Sequence, residues 1–178
     1  NIKLKGYKGS VVVPTKFLKL LNNYLENNVN INLQISDNHI DVKLKEGKIT
    51  SRIIKDPFPD YEGVIPKDNT NTLIVDKSTF SEAIKRVSIF SNKASKQVAL
   101  DISENQVIIT TEDPENITSG KEKLDCLYTG EPMSVGYNAS YLSEVLQHQS
   151  SEEIKILLKS PLNAGLFLPN EQKKNENK

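Results

Sequence analysis

The sequence predicts an α+β protein built from a repeated strand–helix–strand–strand unit, with antiparallel sheets that carry their helices on one face. Three observations predict it. One pattern, apolar, Ser, acid, Asn, polar, apolar, starts at Ile35 and recurs at Ile102. Each occurrence follows a helical pattern that itself follows a short apolar strand. Prolines 57, 59 and 66 fall together in one short joint, where they favour stiff extended backbone and interrupt any regular ladder.

In chain order, Val11-Val12-Val13 reads as a strand and Pro14 suits a first helical position. The helix is expected to run to Glu26, with Phe17, Leu18, Leu21, Tyr24 and Leu25 forming its apolar stripe. A hairpin follows. Ile31, Leu33 and Ile35 alternate with polar residues on one arm, and Ile40, Val42 and Leu44 on the other. Between the arms, Ser36 can bond the turn backbone and Asn38 tolerates the left-handed conformation that short loops demand. A further strand is expected over Lys48 to Ile54, and the joint then places a domain boundary near residue 70, dividing the chain into 1–70 and 71–178.

The second copy begins with Leu73-Ile74-Val75 and the N-cap candidate Asp76. Its helix, expected to reach Phe90, carries Phe80, Ala83, Ile84 and Val87 on one face; the hairpin at Ile102 and a strand over Glu122 to Tyr128 follow. The third copy starts with Ser134 to Tyr137 and the N-cap candidate Asn138. Tyr141, Leu142, Val145 and Leu146 mark its helix, and Ile154, Ile156 and Leu158 its next strand. The turn Ser160-Pro161 then leads to a last strand over Gly165 to Leu168. Starts near residues 11, 73 and 134, roughly 60 residues apart, mark a repeat architecture.

Lys+Arg and Asp+Glu both number 23 in the 178 residues, which excludes a strongly basic nucleic-acid coat and leaves room for a local basic face. No run of 18 apolar residues and no apolar leader occurs, so the chain reads as cytoplasmic, with no membrane partner. The single cysteine, Cys126, forms no internal disulfide; in phase with Leu124 and Tyr128, it reads as a buried small hydrophobe. The sequons at Asn116 and Asn138 read as chance matches. The chain opens without methionine on strand-like alternation and closes on the polar run Asn170 to Lys178, as expected of a piece of a longer protein ending in a loop.

No phosphate-cradling, dinucleotide, metalloprotease or nucleophile-elbow motif is present, so catalysis, a cofactor and a metal are not expected. His39, His148 and Cys126 are too scattered to imply a nucleophile–base pair. The acidic run Glu112-Asp113-Pro114-Glu115 reads as a solvated turn, and Asp56 and Asp60 as turn residues. The helices say more. Lys16, Lys19 and Asn23 share the polar face of the first; Lys77, Lys85 and Arg86, followed by Lys93 and Lys96, share that of the second. Two readings stand: solvated lysines, or a common basic face that meets phosphate backbone without reading bases. Ile89 lies five positions after Ile84 and nine after Phe80, opposite the apolar stripe at about 100° per residue. With Phe90 it forms an exposed apolar pair that fits a protein interface or the underside of a loop.

The joint Ser51-Arg52-Ile53-Ile54-Lys55-Asp56-Pro57-Phe58-Pro59-Asp60-Tyr61, Val64-Ile65-Pro66, Phe90-Ser91-Asn92, Leu100 to Asn105 and Gly136 to Leu142 resemble the bacterial DNA polymerase III beta-subunit family, the sliding clamps. The resemblance covers essentially the whole chain, as the second half of a middle domain with its linker (1–70) and a C-terminal domain without its last strand (71–178). Gly63 stands where many members have arginine, and Ser95 where some have an aromatic residue. The resemblance implies a clamp fold, with two chains closing head to tail into a homodimeric ring around duplex DNA. It implies DNA-facing roles for Lys16, Lys19, Lys85, Arg86, Lys93 and Lys96, and a subunit-interface role for Ile89 and Phe90. It also implies a pocket for the clamp-binding peptides of the polymerase III catalytic subunit, the clamp loader and repair proteins, with Pro59, Val64, Asn138, Tyr141, Leu162 and Ala164 at the matching positions. The alternative function is a stand-alone interaction module that uses the fold without encircling DNA.

Overall fold

The computed structural model describes residues 9–25, 31–45 and 47–171, so the polar terminal run beyond residue 171 lies outside the described residues. The first helix, expected to run to Glu26, stops at Asn22, and Tyr24 and Leu25 of its expected apolar stripe lie past its end and are exposed. The chain divides into two compact units, 1–63 and 64–178. The division falls inside the proline-rich joint.

In the first unit, helix α1 (Thr15–Asn22) starts at Pro14, whose ring presets the extended geometry of a cap. Phe17 and Leu21, one turn apart, are its buried residues and form a small core with Ile40 and Val42. Those two belong to β2 (His39–Lys43), the centre of a three-stranded antiparallel sheet with β1 (Asn32–Ile35) and β3 (Lys48–Arg52). The β1–β2 turn uses its serine as expected: the Ser36 amide and hydroxyl both donate to the His39 carbonyl, at 2.9 and 3.1 Å. Val11-Val12-Val13, expected as a strand, makes one bridge among the described residues, Val12 to Ile54.

The second unit explains why. It contains β4 (Asn71–Asp76), α2 (Lys77–Ser88), β5 (Gln97–Ser103), β6 (Gln106–Asp113), β7 (Thr118–Asp125), β8 (Leu127–Thr129), β9 (Met133–Asn138), α3 (Ala139–Gln147), β10 (Glu153–Leu158) and β11 (Leu166–Pro169). These form two four-stranded antiparallel sheets, in the orders β11-β10-β4-β8 and β7-β6-β5-β9. The strand ahead of each helix does not join its own hairpin. β4 pairs with β10 of the next copy, and β9 pairs with β5 of the previous one. Each copy therefore completes the other's sheet. In the first unit the single copy finds no such exchange partner among the described residues, and Val11–Val13 is left with a bridge.

Both helix starts are capped as expected. The Asp76 carboxylate accepts the Thr79 amide at 2.8 Å, and Asn138 Oδ1 accepts the amides of Ser140 and Tyr141 at 2.9 and 3.4 Å. α2 buries Phe80, Ala83, Ile84 and Val87, and α3 buries Ala139, Leu142 and Leu146, into one core with the inward faces of both sheets. β5 alternates buried and half-buried residues, so one face of its sheet lies under the helices.

Two further expectations are corrected. The single strand over Glu122 to Tyr128 is broken at Cys126: β7 pairs with β6, and β8 with β4 in the other sheet. The Cys126 and Tyr128 amides donate to the carbonyls of Asn105 and Glu104 in the β5–β6 turn, so the chain crosses between sheets without losing its inward alternation. Cys126 is buried there, and desolvation pushes its thiol pKa up. Neither Asn38 nor Asn105 is left-handed, because serine hydroxyls and crossing amides hold these turns. Among described non-glycine residues only Lys96 (φ 48°) and Ile117 (φ 54°) are left-handed.

Phe80 is fully buried and Ile89 is 76% exposed. Phe80→Ala is therefore expected to cost about 3–5 kcal/mol in urea unfolding, whereas Ile89→Ala in the monomeric state should stay within about 0.5 kcal/mol of the parent. Similar losses from both would contradict this helix phase.

Candidate functional site

α2 and α3 pack side by side, and a groove of about 670 Å³ runs between the C-terminal end of α2, the turn 92–96 and α3. Lys93, Lys96, Ser140, Ser143 and His148 line it, with one carboxylate, Glu144. Lys96 Nζ donates to the Ser140 hydroxyl at 3.2 Å, and His148 Nδ1 lies 2.8 Å from the Glu144 carbonyl. The turn beneath the lysines is tightly bonded. Asn92 Oδ1 accepts the amides of Ala94 and Ser95, and the Lys96 amide donates to the Asn92 carbonyl at 2.8 Å. Asn138 Nδ2 holds the Ser95 carbonyl at 2.9 Å.

The sequence-derived cations separate into two kinds. Lys16 and Lys19 on α1, and Lys85, Lys93 and Lys96 in the second unit, are exposed and have no ion-pair partner among the described residues. Arg86 is engaged. Its Nε and Nη2 meet the two carboxylate oxygens of Glu122 at 3.1 and 2.5 Å, and Nη1 lies 3.5 Å from Glu82. This fork straps α2 to β7, holds the Glu122 carboxyl below its usual range and raises the Arg86 pKa.

Ile89 and Phe90 follow directly on α2 and are 76% and 43% exposed. Phe90 lies against Gly120 of β7, where an added Cβ would come within 3.1 Å of its ring, and the Thr118 hydroxyl donates to the Phe90 carbonyl at 3.0 Å. β7 is an edge strand of its sheet, and Ile117, left-handed and 93% exposed, sits in the loop before it. Sequence reasoning missed Ile117, because a lone apolar residue after Pro-Glu-Asn belongs to no periodic pattern. It also missed the groove serines, which look like ordinary helix-surface residues.

Of the residues matched to a peptide pocket, Val64, Tyr141 and Leu162 are apolar and strongly exposed, the last two at 71% and 98%. Pro59 and Ala164 are exposed as well. Asn138 spends Oδ1 on the helix cap and one amide hydrogen on Ser95, which leaves one hydrogen for a ligand. The loop between β10 and β11, which carries Leu162 and Ala164, is strapped from outside. Asn69 Nδ2 forks to the carbonyls of Leu157 and Ala164, both at 2.9 Å, and Lys159 pairs with Asp68. Gly165 is required there by close approach, since a Cβ would fall 2.4 Å from the Tyr137 hydroxyl. That hydroxyl is raised in pKa by burial, and its ring meets Phe167 edge-on at 5.8 Å.

The acidic run Glu112 to Glu115, expected as a solvated turn, instead closes β6 with a buried carboxylate. Asp113 is 3% exposed, accepts from Asn116 Nδ2 at 2.7 Å and from the Glu115 amide, and is held below the usual carboxylate range chiefly by Asn116. It clips the β6–β7 loop together. His39 opens β2 in the first unit, and Cys126 and His148 lie apart in the second. Among the described residues no group of three or more His, Cys, Asp or Glu is placed to hold a metal ion, and no helix is long and apolar enough to cross a membrane.

Residues 62–177 match the family described as DNA polymerase III beta subunit, C-terminal domain, and residues 2–60 match its central domain. The chain is 34% identical over 151 residues to the beta sliding clamp of Proteus mirabilis, covering 84% of this chain and 41% of that one. It is 33% identical over 159 residues to that of Haemophilus influenzae, covering 89% and 43%. In structure it is similar to the sliding clamp of Bartonella birtlesii bound to griselimycin, with a TM-score of 0.79 at 30% identity, over 92% of this chain and 44% of that one. The chain thus spans less than half the length of these relatives.

The Arg86–Glu122 strap sets an acid dependence. Glu122 has a depressed folded pKa, so its contribution to stability is present above its unfolded pKa and is lost as pH falls through the folded value. Glu122→Gln should leave a shallower decline of urea stability below about pH 4.5 than the parent shows. An unchanged decline would mean that the strap contributes nothing.

Proposed function

The chain belongs to the DNA polymerase III beta-subunit family, and from that membership we propose that it forms part of a non-catalytic, cytoplasmic sliding clamp. This clamp encircles duplex DNA without reading its sequence and tethers a replicative polymerase to the template. The observation that carries the proposal is the order of the two domain matches, central then C-terminal, which together run through nearly the whole chain. Residues 1–70 are assigned to the latter half of the middle clamp domain with its linker, and 71–178 to the C-terminal clamp domain.

The mechanism is topological. A closed ring requires no tight grip on DNA; weak contacts to phosphate, which release counterions and read no bases, let it slide. Lys16, Lys19, Lys85, Lys93 and Lys96 supply such contacts, and the absence of ion pairs to them among the described residues supports the role. Arg86 contributes least, because two carboxylates already neutralise its guanidinium. Ile89 and Phe90, beside the edge strand β7, form this chain's half of the homodimer interface; large exposed apolar side chains at a helix end favour that use over solvation.

Partner capture falls to Val64, Asn138, Tyr141, Leu162 and Ala164, and to Pro59 in the joint. They take the leucine and aromatic side chains of short peptides from the polymerase III catalytic subunit, the clamp loader and repair proteins. Strong exposure of Tyr141 and Leu162 supports this, since an apolar recognition surface stays uncovered until its ligand arrives.

A labelled peptide of glutamine, two spacer residues, leucine and phenylalanine should bind the natural gene product saturably by fluorescence anisotropy. Tyr141→Ala should weaken it by about 30-fold, the effect of truncating an aromatic anchor worth about 2 kcal/mol. Absence of saturable binding, or binding indifferent to Tyr141, would reject the site.

A further inference from the structure

We propose that Asn138 is a positioning residue that presents Lys96, which shares the groove with Lys93, to DNA, a role that rests on the reading of those lysines as DNA-facing. Its amide works in two directions. Oδ1 starts α3 by accepting the amides of Ser140 and Tyr141, and Nδ2 donates to the Ser95 carbonyl at 2.9 Å. The next residue repeats the hold, because the Ala139 amide donates to the Lys96 carbonyl at 2.8 Å. Two successive carbonyls of the lysine turn are thus hung on the first residues of α3.

The far side of the turn is fixed independently. Asn92 Oδ1 accepts the amides of Ala94 and Ser95, and Asn92 Nδ2 reaches Asp113 at 3.4 Å, which anchors the turn to β6. Between these anchors Lys96 is left-handed at φ 48°, a conformation that a side chain with a Cβ disfavours. It persists because three bonds hold it together: its amide is held by Asn92, its carbonyl by Ala139, and the carbonyl of the preceding peptide by Asn138. In that conformation its ammonium reaches the Ser140 hydroxyl at 3.2 Å and stands in the α2–α3 groove beside Lys93. Release of the Ser95 carbonyl leaves the peptide before Lys96 without its outer anchor. Relaxation of Lys96 toward the right-handed region then carries the ammonium off Ser140 and out of the groove.

Asn138→Ser separates this role from capping. Serine is a good neutral N-cap, so α3 keeps its start, but its side chain is too short to reach the Ser95 carbonyl. The readout is the salt dependence of binding of the natural gene product to a short fluorescent duplex, as the slope of log K against log salt concentration. Lys93→Ala with Lys96→Ala should reduce the slope by about 2, near one counterion per lysine, and Asn138→Ser by about 1 although it removes no charge. A purely structural role for Asn138 would leave the slope unchanged. If the lysine variant loses slope and Asn138→Ser does not, positioning by Asn138 is wrong and the DNA-facing assignment stands. If the lysine variant keeps the parent slope, the DNA-facing assignment itself fails. Asn138→Thr, also a neutral cap, carries the same test should the serine variant unfold.

Discussion

Strand exchange between successive copies of the repeat is the constraint on which the second unit depends. β4 lies in the sheet of the third copy and β9 in the sheet of the second, so neither sheet is complete until both copies are present. This pairing is long-range and antiparallel, and it fixes where each helix begins, since α2 follows β4 directly and α3 follows β9. The helices consequently pack side by side over one shared core, with Phe80, Ile84, Leu142 and Leu146 beneath them. Their outward faces and the loops at their ends are what remains for binding.

The candidate binding residues are distributed along the same lines. The cations that could meet phosphate stand on α1, on α2 and on the turn that leads from α2 into β5. The exposed apolar residues Ile89 and Phe90 lie where α2 ends, and Tyr141 and Leu162 lie on α3 and the last hairpin loop. Although the chain has no net charge, the ion pairs among the described residues engage Arg86 with Glu122 and Glu82, Lys48 with Asp41, and Lys159 with Asp68, and leave Lys16, Lys19, Lys85, Lys93 and Lys96 exposed. Such surface pairs contribute little to stability in general, about 0–1 kcal/mol each.

Local features were legible in the sequence. The Asp76 and Asn138 caps, the Ser36 turn and the buried stripe of α2 follow from residue type and period, and the outward phase of Ile89 gave away its exposure. Features that depend on distant partners were not. Nothing in Val11–Val13 reveals that a strand ahead of a helix seeks a sheet in another copy, and inward alternation through Leu124, Cys126 and Tyr128 conceals the jump between sheets. Arg86 reads as a free cation until β7 brings Glu122, 36 residues away, to its side. Nothing in the sequence ties Asn138 to the turn before β5, because the Ser95 carbonyl it holds is 43 residues distant.

The central claim is that retention on DNA is topological, and the most direct measurement compares residence of the natural gene product on nicked circular duplex before and after the circle is cut. A ring predicts long residence on the circle, rapid loss from the ends once it is linear, and no retention by a variant carrying Ile89→Ala and Phe90→Ala. Equal dissociation from circular and linear DNA, or undiminished retention by that variant, would contradict the account.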